Sequence, residues 1–94
     1  MTIKFDKEKT WVEDEQGKEI AMLRHPKLSR NIVKIEYMYV DDSIFGQGVS
    51  EKMMVMVVNR LKRRGERVEL GCPYAIRWFA EHPEYDDIVV GVEE

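Results

Sequence analysis

Two stretches of the chain carry residue types that could do chemistry. Residues 41–54 read DDSIFGQGVSEKMM, and residues 70–85 read LGCPYAIRWFAEHPEY. In the first, Gly46 and Gly48 bracket Gln47 just ahead of a helical pattern. Glycines there let backbone N–H groups approach an anion with no Cβ in the way. A helix N-terminus adds its partial positive charge, which makes the stretch a candidate pyrophosphate cradle. A short G-x-G also serves as an ordinary turn, and Asp41, Asp42 and Glu51 would have to point away from any anion. In the second stretch, Cys72 is the only cysteine. It ends an apolar run and precedes a helix whose Pro73 supplies no N–H. A thiolate at that place is favoured by the helix terminus and could accept an acyl group from a thioester, one thioester replacing another. Against this stands the role of a small buried hydrophobe.

The histidines add little to such a site. His82 stands at the far end of the short helix, about 15 Å from Cys72 along the axis if that helix is continuous. That is too far for a Cys-His dyad, and His82 reads instead as a cap or orienting residue. His25, before Pro26, reads as a loop residue. One cysteine and two histidines so dispersed do not make a zinc site. Trp78 and Phe79 read as core, and Tyr74 as a pocket-lining residue.

The elements that must position these residues follow from periodicity. Thr2 to Phe5 and Thr10 to Val12 are β-prone, and Gly17 suits a tight turn over residues 15–18. Glu19 to His25 returns as a strand that Pro26 stops. Asn31 to Val40 alternates, which predicts one strand with Val33, Ile35, Tyr37 and Tyr39 on one face. The first 40 residues thus predict an antiparallel meander. Asp41 to Ser50 is a polar loop. Ser50 to Arg64 is too long for a strand and reads as a helix with Met53, Met54, Val57, Val58 and Leu61 on one stripe. Arg67 to Leu70 is a strand, Pro73 to Ala80 a short helix ended by His82-Pro83, and Ile88 to Val92 a last strand. Strand, helix, strand from Val33 to Leu70 makes a right-handed βαβ crossover with parallel strands. The expected fold is α+β: a mixed, mostly antiparallel sheet with one long and one short helix.

Composition bounds the function. Ninety-four residues are one domain, spanning 1–94, and 44% apolar with 35% charged is a globular balance. The net charge of -3 gives no global field for nucleic acid or anionic lipid. The basic run Asn59 to Arg67 lacks interleaved aromatics; it reads as a solvated helix end that complements the helix dipole, with a ligand phosphate as the alternative partner for one of its bases. The longest apolar run, Met53 to Val58, is far short of the ~20 residues that span a bilayer. The charged start MTIKFDKEK lacks the apolar core of a secretion signal, so a cytoplasmic protein is expected, a monomer or weak dimer.

Together the two stretches resemble a known family. FGQGVSEKM resembles the coenzyme A loop of the GNAT superfamily of acyltransferases, whose pattern is Q/R-x-x-G-x-G/A. CPYAIRWFAEHPEY is similar to the C-terminal signature of its smallest members, the single-domain YjdJ-type acetyltransferase-like proteins, which carry G-Q-G in the loop and a Cys-Pro-aromatic run ending in His-Pro-Glu-Tyr. The resemblance implies acetyl-CoA as cosubstrate and an amine as acceptor, wedged where the strand ending at Val40 splays from the strand ending at Leu70. It implies a coenzyme A site of Val40, Phe45, Gly46, Gln47, Gly48, Val49, Ser50, Cys72 and Tyr74, with Cys72 near the thioester as the candidate catalytic residue. Three departures from the pattern stand out. Phe45 stands where Arg or Gln is usual, and Ser50 where Gly or Ala is usual. Tyr37-Met38 replaces a His-Thr pair whose histidine is the subfamily's candidate base; a phenol with the ordinary pKa of about 10 is a poor base at neutral pH. The alternative function is a non-catalytic acyl-CoA-binding module.

Overall fold

The computed structural model describes residues 1–93; Glu94 of the expected 1–94 domain lies outside the described residues. Eight strands and two helices follow in the order β1 (Thr2–Phe5), β2 (Lys9–Glu13), β3 (Glu19–Arg24), β4 (Lys27–Ser29), β5 (Ile32–Ile35), β6 (Tyr37–Val40), α1 (Val49–Arg64), β7 (Arg67–Leu70), α2 (Pro73–Ala80) and β8 (Val89–Val92). They form two four-stranded sheets, β1-β2-β3-β6 and β4-β5-β7-β8. The first is antiparallel throughout, while β5, β7 and β8 run parallel in the second. The α+β class, the mostly antiparallel pairing and the parallel pair flanking α1 match expectation.

The predicted single strand over Asn31 to Val40 is overturned, and the reason lies in register. Arg24 pairs with Tyr37, and Lys27 pairs with Val33. Between those pairs one strand has two residues, His25 and Pro26, and the other has three, Lys34, Ile35 and Glu36. The extra residue is a bulge, and it inverts side-chain parity. Val33 and Ile35 are buried, but Tyr37 and Tyr39 are exposed at 50% and 41%. Met38 and Val40 turn inward instead. Pro26, with no N–H to donate, breaks the neighbouring strand at the same level. Lys27–Ser29 then forms an unanticipated strand of the second sheet, and the meander is interrupted. A 3-10 turn over Pro83–Ile88, also unanticipated, links α2 to β8.

α1 forms because its apolar residues recur on one face and both ends are capped by glycines in left-handed conformation. Gly65, at φ 67°, gives its N–H to Leu61 and Lys62 carbonyls. The buried stripe of Val49, Met53, Met54, Val57, Val58 and Leu61 packs with Leu23, Ile35 and Val68 in one core.

His25 is a loop residue, as expected, and it is buried, only 2% exposed, with Nε2 2.9 Å from the Thr10 hydroxyl. Burial, helped by the Arg60 charge, lowers its pKa to about 4. The unfolded chain therefore binds the proton first as pH falls, so stability is full above about pH 6.5 and is lost between 6.5 and 4. The loss is up to about 3 kcal/mol, from about 1.4 kcal/mol per pKa unit. Thermal melts from pH 7 to 4.5 are expected to show this decline, and His25→Gln to flatten it. An equally steep decline in the variant refutes the assignment.

Candidate functional site

The site begins where the two sheets part. After Ile35 the chain leaves β7 and joins β3: Glu36 donates its N–H to Arg24, while Ile35 accepts from Gly71. β6 pairs with β3 alone, and β7 with β5 and β8, so the edges of β6 and β7 diverge. The expected splay between the strand ending at Val40 and the one ending at Leu70 is present.

A groove of about 370 Å³ opens beside this cleft, lined by Val40, Ile44, Phe45, Gly46, Gly48, Val49, Ser50, Glu51, Tyr74 and Arg77. Its floor is set by local sequence. Asp41 caps a 3-10 turn over Asp42–Ile44, accepting the Ser43 N–H. Gly46 and Gly48 then take φ of 85° and 77°, a region that L side chains enter only with strain. The N–H groups of Phe45 and Gln47 are spent inside the loop, on Asp42 and Ile44. Those of Gly46, Gly48, Val49 and Ser50 have no acceptor among the described residues. Four donors thus stand at the positive end of α1, on residues that line the groove.

The acidic residues are accommodated. Asp41 turns into its own loop, 2.9 Å from the Ser43 N–H and 3.2 Å from the Tyr39 hydroxyl. The Ser43 hydrogen bond holds its carboxyl below the usual range. Glu51 lines the groove but is engaged: it accepts the Trp78 indole N–H at 2.5 Å and lies 3.7 Å from His82 Nε2. His82 stacks on Trp78 with ring centroids 3.9 Å apart, and its Nδ1 donates to the Trp78 carbonyl at 2.6 Å. It orients the end of α2, as its position suggested, and is tied to Trp78 and Glu51 rather than to Cys72.

Of the nine site residues implied by resemblance, seven line the groove. Gln47 does not; it is exposed, with its N–H bonded inside the loop. Cys72 does not either: it is 6% exposed, at the start of α2, and packs in the core cluster. Phe45 is 78% exposed at the rim. Tyr74 is half-buried, and burial raises its phenol above the ordinary value, with the Glu51 charge adding to this. Arg77 and Ile44 were missed. Arg77 was findable, since three residues beyond Tyr74 on a helix is the same face. The basic end of α1 stands away from this groove, as a solvated helix end would: Arg64 lies about 20 Å along the helix from the loop and pairs with Glu66, and among the described residues the cation that lines the groove is Arg77.

Among the described residues, no helix is long and apolar enough to cross a membrane, and no cluster of His, Cys, Asp and Glu is placed to hold a metal.

Comparison with known proteins follows the same line. No curated protein matches the chain. A GCN5-like protein from Staphylococcus aureus, solved in solution, superposes over 99% of this chain and 91% of its own, with TM-score 0.79 at 24% identity, a likeness of fold. The family model for the GCN5-related N-acetyl-transferase matches residues 9–88. With the splayed sheets and the glycine loop at the start of α1, that match places the chain in the GCN5-related N-acetyltransferase family.

Proposed function

We propose that the chain binds acetyl-CoA in this groove and transfers the acetyl group to an amine. The observation that carries this reading is the set of four unpaired N–H groups on Gly46, Gly48, Val49 and Ser50, held by two left-handed glycines. They suit the pyrophosphate of coenzyme A, and Arg77 supplies a charge on the facing helix. The pantetheine arm would run between β6 and β7 toward Tyr74. In the transfer a neutral amine attacks the thioester carbonyl, the C–S bond breaks and coenzyme A leaves as thiolate. Tyr74, which lines the groove and whose phenol burial raises above its ordinary value, would give that thiolate its proton.

The ammonium formed in the attack needs a base. Among the described residues the carboxylate that lines the groove is Glu51, and it is occupied by Trp78. General-base catalysis typically contributes roughly 10²–10⁴-fold, so turnover with generic amines is expected to be slow. This observation favours, as second reading, a module that holds acyl-CoA without acting on it.

The test is calorimetric titration with acetyl-CoA, then an acetyl-transfer assay on wild type and Cys72→Ala. Micromolar to submillimolar binding is expected in both, with equally slow transfer, because a thiol packed in the core does not reach the thioester. Absence of binding refutes the proposal. Transfer abolished in a folded Cys72→Ala protein would restore a covalent role to that thiol.

A further inference from the structure

A second cavity lies at the other end of α1. It measures about 210 Å³ and is lined by Lys7, His25, Lys27, Arg60, Arg64 and Glu66, with an apolar wall. Arg60 is twelve residues beyond Gly48, about 18 Å along the helix, so this cavity and the glycine groove are separate. Its volume is about seven times the ~30 Å³ that a water molecule occupies in the liquid, room for a tetrahedral oxyanion with space to spare.

Charge is what makes the cavity unusual. Four cationic side chains and one carboxylate line it, in a chain whose net charge is -3. The carboxylate, Glu66, is already shared between Lys27 at 2.6 Å and Arg64 at 3.3 Å. Lys7 and Arg60 have no carboxylate partner among the described residues. Arg60 is held in place, its guanidinium 4.4 Å from the Phe5 ring, 3.4 Å from the Asp6 carbonyl and 3.5 Å from His25 Nε2. Partial burial and the Arg64 charge beside it disfavour its cationic form, a penalty that a bound anion would relieve.

We propose that this cavity binds a phosphate-class oxyanion, with Arg60 and Lys7 as its principal contacts. A multivalent anion matches the excess of positive charge, and a planar fork such as Arg60 offers paired N–H donors to it. Nothing in this depends on the groove at the glycine loop.

The experiment is an NMR titration of the full chain that follows the Arg60 side-chain N–H and the His25 ring. The probes are inorganic phosphate, O-phosphoserine and acetate. Saturable shifts at millimolar phosphate or below are expected, weaker at high salt. Arg60→Gln is expected to weaken binding about tenfold or more, and Lys7→Gln less, with the backbone spectrum showing both variants folded. Tighter binding of O-phosphoserine supports a phosphate monoester as the ligand, and tighter binding of phosphate supports the free ion. No saturable shift overturns the proposal and leaves the basic residues to offset the carbonyls at the end of α1. Equal binding of acetate overturns the preference for a multivalent anion. Loss of coenzyme A binding in Arg60→Gln overturns the separateness of the two sites.

Discussion

Acetyl-CoA at about 100 times its dissociation constant is expected to raise the melting temperature by roughly 10–20 °C. A ligand that binds only the folded state adds about 2.7 kcal/mol at that excess, and a domain of this size gains about 4–8 °C per kcal/mol. Gly48→Val is expected to abolish the shift. A Cβ at Gly48 meets nothing within 4 Å, so the site has open space at that position and the fold is expected to survive. The difficulty is conformational: φ of 77° is disfavoured for a β-branched residue, at a cost of about 1–3 kcal/mol. Relief of that strain rotates the Gly48 and Val49 N–H groups away from the groove. Differential scanning fluorimetry of both proteins with and without acetyl-CoA checks this. A full shift in Gly48→Val would make the loop an ordinary turn. No shift in wild type would leave a domain whose groove takes no coenzyme A.

The second large effect concerns the bulge that opens the cleft. Ile35→Ala is expected to destabilise the protein by about 2–5 kcal/mol, since Ile35 is 0% exposed and its deletion leaves a cavity. That is a large part of the roughly 5–15 kcal/mol typical of a domain. Tyr37→Ser, two residues on, is expected to stay within about 0.5 kcal/mol, because Tyr37 stands on the solvent side. Met38→Ala, on the inward side, is expected to cost more than Tyr37→Ser. Denaturant unfolding of the three variants decides it. A strand without the bulge would reverse the order of Tyr37 and Met38.

The sequence by itself determined what is local. The glycine-bounded helix over residues 50–64, the short helix after Pro73, the strands on either side and the G-x-G loop all follow from periodicity, capping and turn chemistry between near neighbours. The two motifs were enough to indicate the family that the match over residues 9–88 then showed. Tertiary structure decided what depends on partners far along the chain. The alternation from Val33 to Tyr39 was a true local signal, but one strand had to pair with β7 below Glu36 and with β3 above it, and that change of partner required the extra residue that inverts the face. Arg77 faces the glycine loop only because α2 packs beside the start of α1, where the Trp78–Glu51 hydrogen bond ties the two helices. Cys72 and His25 show the same limit. The placement of Cys72 before a helix suggested a reactive thiol and Pro26 put His25 in a loop, but that both side chains are buried was decided by a core assembled from both sheets and both helices. Burial is a sum over long-range contacts, and no window of neighbouring residues contains it.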